Sequence, residues 1–169
     1  MVNRRSAVFG ALAAAPAGLL MRVGTAVGQG GTGAATGSPL VVIVPAGSPL
    51  SNLPFDRLKA LFFGDVVEVS GIGRLVPFNQ PANVPDRVAF DRAVLGLEPA
   101  AMASYWVDRR VRGGGSPPRT GDVSILQRLV LRFPGAISYV RADQLIAGVR
   151  ALRLDGKLPT DSGYPLAGR

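Results

Sequence analysis

The hydrophobic pattern changes period several times along the chain, and each change marks an element. Leu40 to Val44 form a continuous apolar run closed by Pro45, Ala46 and Gly47. A run without alternation fits a strand buried on both faces. Phe55, Leu58, Leu61 and Phe62 then recur on one side of a helix, with Pro54 in its first turn and Gly64 as its stop. "RLVPF", Arg74 to Phe78, reads as a second strand. A helix from Asp86 to Leu95 places Phe90, Ala93, Val94 and Leu97 together and stops at Gly96. Glu98 and Pro99 open another helix, whose apolar face carries Met102, Tyr105 and Trp106, all three read as core. After the break "GGGSPPR", Thr120 or Asp122 caps a helix with the stripe Leu126, Leu129, Val130 and Phe133. "AISYV" and "VRALRL" are late strands, Asp155-Gly156 is a turn, and "KLPTDSGYPLAGR" has no periodicity.

Strands alternating with helices predict an α/β fold with a mostly parallel sheet flanked by helices on both faces. Ligands of such sheets sit at the carboxyl ends of strands, where helices begin. The loops "PAGSPLSN" and "NQPANVPD" are therefore the places to expect a site.

The first 28 residues contain Arg4, Arg5 and Arg22 but no acid, and the stretch between the arginines is moderately apolar and rich in Ala and Gly. This reads as a signal peptide cleaved before Gln29, through either the twin-arginine or the general secretory route. Residues 29–38 form a Gly-rich linker, and residues 39–169 form the domain. Without the leader, 16 of the 19 basic residues remain against 11 acids, a net charge of +5. The mature chain is thus expected to be exported, periplasmic or secreted, and only mildly basic.

The chain has no cysteine and no histidine. Thiolate chemistry, disulfides, Cys- or His-based metal sites and every Ser-His-Asp arrangement are excluded. What remains is chemistry based on serine, on carboxylates, or on Lys59 and Lys157. Asp56, Asp65, Glu68 and Asp122 are too scattered to argue for a metal site or a carboxylate pair. No cofactor is expected, and the protein is read as non-enzymatic.

Several segments, "VVIVPAGSPLSNLPFDRLKALFFG", "RLVPFNQPANVPDRVAFDRAVLG", "FPGAISYV" and "SGYPL", together resemble substrate-binding proteins of phosphate ABC transporters. This is the PstS-like family of type II periplasmic binding proteins. The resemblance runs from Leu40 to Leu166 and implies a short member equivalent to one lobe. Transport-competent members carry an Arg, then a Gly-Ser-Gly-Thr turn, then a helix, so that hydroxyls and backbone N–H groups face the anion. Laid on this chain, the Arg position falls on Gln80 and the turn on Asn83, Val84, Pro85 and Asp86. Val84 has no hydroxyl, Pro85 has no N–H, and Asp86 brings a negative charge to the ligand's place. Two like unit charges about 4 Å apart repel by roughly 1 kcal/mol even in water, and by several times more in a closed site. The loop is either an anion site or a capped helix, and its chemistry favours Asp86 as a cap.

The candidate ligand residues implied are Ser48, Ser51, Asn52, Gln80 and Asn83, with phosphate or another small oxyanion as ligand. Each also has a local role open to it, since such side chains make turns and caps. Arg109, Arg110, Arg112 and Arg119, around the Gly-rich break, are a candidate anion or partner surface, or else a solvated helix end. An ABC-transporter permease or another exported protein is the candidate partner. The cluster has no interleaved aromatics, and nucleic acid is not expected. Three functions follow: an accessory module with a weakened phosphate site, a functional phosphate or oxyanion receptor, and an exported hydrolase. The missing His and Cys disfavour the last.

Overall fold

The computed structural model describes residues 37–167, so the leader and most of the linker lie outside the described residues. The elements in order are β1 (Leu40–Pro45), β2 (Asn52–Leu53), α1 (Phe55–Phe62), β3 (Glu68–Val69), β4 (Gly73–Arg74), β5 (Val76–Asn79) and α2 (Pro85–Phe90). A π-helical turn, Asp91–Leu95, continues α2. Then follow α3 (Pro99–Val111), β6 (Arg119–Thr120), α4 (Val123–Arg132), β7 (Ala136–Arg141), β8 (Val149–Ala151) and β9 (Arg153–Leu154).

Five strands form the central sheet in the order β6-β5-β7-β1-β8, with helices on both faces. β5 runs parallel to both β6 and β7. β1 runs antiparallel to both β7 and β8, with Leu40 opposite Arg141 and Pro45 opposite Val149. The α/β architecture of the sequence reading is present, with its parallel pairings on the β5 side of the sheet.

β1 is the buried strand its apolar run predicts. Leu40, Val42 and Val44 face a core built with Leu58, Leu61, Phe62, Phe90 and Trp106. Val41 and Ile43 face the opposite core, where Leu126 and Val130 of α4 cover them. Alternate side chains of one strand thus feed two cores, which is why the run has no polar break. The tail without periodicity contributes as well, since Tyr164 and Leu166 are buried in the first core. No helix of the described residues is long and apolar enough to cross a membrane.

Local chemistry sets the helix ends. Gly96, at φ 69°, turns the chain out of the π-helical turn in the left-handed conformation that glycine tolerates best. Asp122, rather than Thr120, caps α4 by accepting the Ile125 N–H at 3.1 Å. That bond holds its carboxyl below the usual carboxylate range. A carboxyl with a depressed folded-state pKa stabilises the fold above its unfolded pKa, and this contribution is lost as the pH falls through the folded value. Asp122→Ala is therefore expected to melt earlier than the wild type at pH 7, with the gap narrowing below pH about 4. Thermal melts across pH 2–7 check this, and a constant gap would show that the cap carries no charge effect.

Candidate functional site

β5 ends by sending Asn79 and Gln80 into the interior, where both are buried. The Gln80 backbone N–H donates to Asn79 Oδ1 at 3.0 Å, and Gln80 Nε2 donates to the Tyr139 carbonyl at 3.2 Å. The Tyr139 hydroxyl donates to the same Asn79 oxygen. Arg87, in the first turns of α2, donates from Nη1 to the Gln80 carbonyl at 2.8 Å and from Nε to Asp91 Oδ2 at 2.7 Å. Arg141, at the end of β7, holds Asp86 Oδ1 through Nη2 at 2.6 Å and Nε at 2.8 Å. Its Nη1 donates to the Ser38 carbonyl at 2.8 Å.

Two arginines thus meet two aspartates, and the cluster is charge-neutral. Asp86 sits in the first turn of α2, but its carboxylate is taken up by Arg141. Val84 is the N-cap of α2 and makes no side-chain cap bond, which corrects the reading of Asp86 as a cap. Burial pushes the Asp91 carboxyl above its usual range, against the opposing pull of Arg87. Asp91 Oδ1 is buried without a hydrogen-bond partner. Burial also raises the Tyr139 hydroxyl well beyond the ordinary tyrosine range, so it stays a neutral donor.

The second expected loop lies elsewhere. Because β1 and β5 run in opposite directions beside β7, their carboxyl ends are at opposite ends of the sheet. Residues 80–86 sit near the start of β1, while residues 45–52 follow its end, roughly 17–20 Å away along the strand. Ser48, Ser51 and Asn52 therefore do not share a site with Gln80 and Asn83. Arg150 ties this 45–52 loop down, donating to the carbonyls of Ala46, Ser48 and Leu50. Ser48 Oγ accepts the Leu50 N–H at 3.3 Å, and Asn52 Oδ1 accepts the Gly156 N–H at 2.8 Å. Ser51 and Asn83 are exposed.

No family model and no curated protein matches the chain. Solved structures do. An ABC-type phosphate transport receptor from Vibrio cholerae matches with TM-score 0.59 and 16% identity, over 76% of this chain and 53% of that one. A phosphate ABC transporter substrate-binding protein from Clostridium perfringens, with bound phosphate, matches with TM-score 0.58 and 18% identity, over 73% and 47%. PstS from Borrelia burgdorferi matches with TM-score 0.53 and 12% identity, over 73% and 49%. The chain has the fold of the phosphate receptors. It spans about half the length of these solved structures.

The four arginines of the Gly-rich break have different surroundings. Arg109 is half-buried and structural, donating to Tyr105 Oη at 3.0 Å, Gly64 O at 3.2 Å and Asp65 Oδ1 at 3.0 Å. Gly114 packs so closely on it that an added Cβ would lie 2.5 Å from Arg109 Cγ. Arg112 shares a concavity with Arg109, Arg110 is exposed, and Arg119 lies on the edge strand β6 beside Arg74. The cluster around Gln80 was reached in sequence through Gln80 and Asp86, while Asn83 stays exposed outside it and Arg87, Asp91 and Arg141 were missed. The i,i+4 spacing of Arg87 and Asp91 was a signal for the first two. Arg141 carried none, because its partner lies 55 residues away.

Proposed function

We propose that the chain is an exported, non-enzymatic binding or accessory module on one lobe of the phosphate-receptor fold, with its phosphate site closed by its own side chains. The observation that carries this reading is the capture of Arg141 by Asp86 at 2.6 Å, in the turn where the resemblance puts the ligand. The Asp86 carboxylate takes the guanidinium that an oxyanion would need. Phosphate entering there would have to break that pair and then sit beside the freed carboxylate, a repulsion that a closed site intensifies. Gln80 replaces the arginine of transport-competent members with a neutral amide engaged to the Tyr139 carbonyl. A single lobe also supplies only one wall for a small ligand. The role left for such a module is contact with a transporter permease or another exported protein.

Calorimetric titration of the full chain with phosphate and with sulfate at low salt tests this. No saturable heat is expected up to millimolar anion. Micromolar phosphate binding would instead establish the second reading, a functional oxyanion receptor.

A further inference from the structure

The open edge of the sheet carries a cleft that plays no part in the reading above. Its volume is about 390 Å³, and its charged lining is Arg74 and Arg119, with no acid. Its floor is apolar, built from Val76 and Phe78 of β5 and from Phe133 and Pro134 after α4. Val76 is 44% exposed and Phe133 47% exposed, so aromatic and aliphatic surface faces water beside two cations. Among the described residues neither arginine forms an ion pair. Glu68 stands opposite Arg74 in the β3–β4 register without bridging to it. An adjoining cavity shares both arginines together with Val76 and Phe78, and the acid that lines it, Asp65, is held by Arg109 at 3.0 Å.

We propose that this cleft binds small monocarboxylates with an apolar body, the carboxylate on Arg74 and Arg119 and the hydrocarbon against Phe78 and Phe133. Guanidinium groups pair with carboxylates through parallel N–H donors and are weakly hydrated enough to do so beside apolar surface. The cleft volume lies within the range of about 300–1,000 Å³ usual for small-ligand sites. The apolar floor decides the class, because it gives a hydrated inorganic oxyanion nothing, while it removes a hydrocarbon chain from water. The cations decide the headgroup. The short β6 makes the arrangement possible: two residues are enough to place Arg119 beside β5 but too few to cover Val76.

Titration of the full chain with octanoate below its micelle concentration, followed through backbone amide shifts, tests the proposal. Saturable shifts at Val76, Phe78, Arg119 and Ala136 are expected, with a dissociation constant of about 1 mM or tighter. Arg74→Gln and Arg119→Gln are exposed changes that leave the fold intact, and each is expected to weaken octanoate about tenfold. Octanol should bind more weakly than octanoate to the wild type. Equal binding of octanol and octanoate, or an unchanged octanoate midpoint in the double Gln variant, would reduce the cleft to bare apolar surface and overturn the proposal. Displacement of octanoate by equimolar inorganic phosphate would overturn it too, by showing that the hydrocarbon contributes nothing.

Discussion

Arg87→Met is expected to lower the unfolding free energy by about 3–5 kcal/mol at pH 7, the usual loss when one member of a buried ion pair is removed. The side chains of Arg87 and Asp91 are only 8% and 4% exposed, so water cannot take the guanidinium's place. Asp91 already has one oxygen without a partner, and the substitution strips the other. The pH dependence has a definite sign. Burial already raises the Asp91 carboxyl, and losing Arg87 removes the opposing pull. A carboxyl whose folded pKa lies above its unfolded value favours the fold when protonated, and this advantage is lost as the pH rises through the folded pKa. The deficit of Arg87→Met should therefore be largest near neutrality and shrink in acid. Arg87→Met combined with Asp91→Leu should recover most of the loss, because an apolar pair of similar volume often replaces a buried ion pair at little cost. Urea unfolding of the wild type and both variants at pH 7 and pH 4.5 checks this. A single-variant loss under about 1 kcal/mol would mean that solvent reaches Asp91.

Phe90→Ala is expected to cost about 3–5 kcal/mol by opening a cavity in the larger core. The Phe90 ring stacks on Tyr139 with centroids 3.7 Å apart and planes 3° from parallel. Phe62 of α1 meets the Phe90 ring edge-on at 4.7 Å. All three side chains are buried, so the triad joins α1, α2 and β7 away from water. Tyr139 also anchors Asn79 and Gln80, and loosening its ring should loosen the polar cluster with it. Denaturant unfolding with amide exchange at Gln80 distinguishes the outcomes. A large loss with faster exchange at Gln80 supports the coupling, whereas a loss near 1 kcal/mol would mean that neighbouring side chains collapse into the space.

Period and punctuation account for what was legible in the chain. The apolar run at Leu40–Val44, the stripe of α1, Leu126 and Val130 of α4, and the stop at Gly96 lie where the pattern puts them, because each depends on neighbours within one or two turns. Phe133 leaves the α4 stripe, since the helix ends at Arg132 and its ring is exposed. The pattern did not show the β3–β4 hairpin, whose strands have two residues each and no room for a period. It also read "VRALRL" as one strand. In the fold it divides, with β8 pairing with β1 and β9 leaving to pair with β2.

The sequence by itself determined that this is an α/β chain without thiol or imidazole chemistry, and it marked the loop Asn79 to Asp86 as one place to expect a site. Those conclusions rest on residue identity and local spacing, which need no knowledge of distant contacts. Strand direction was decided only in the folded chain, and with it the separation of the two candidate loops. β1 lies beside β7, nearly a hundred residues away, and the direction in which they pair leaves no period in either segment. The same holds for the state of the site. Asp86 and Arg141 are 55 residues apart, and only the closing of the sheet brings carboxylate and guanidinium together.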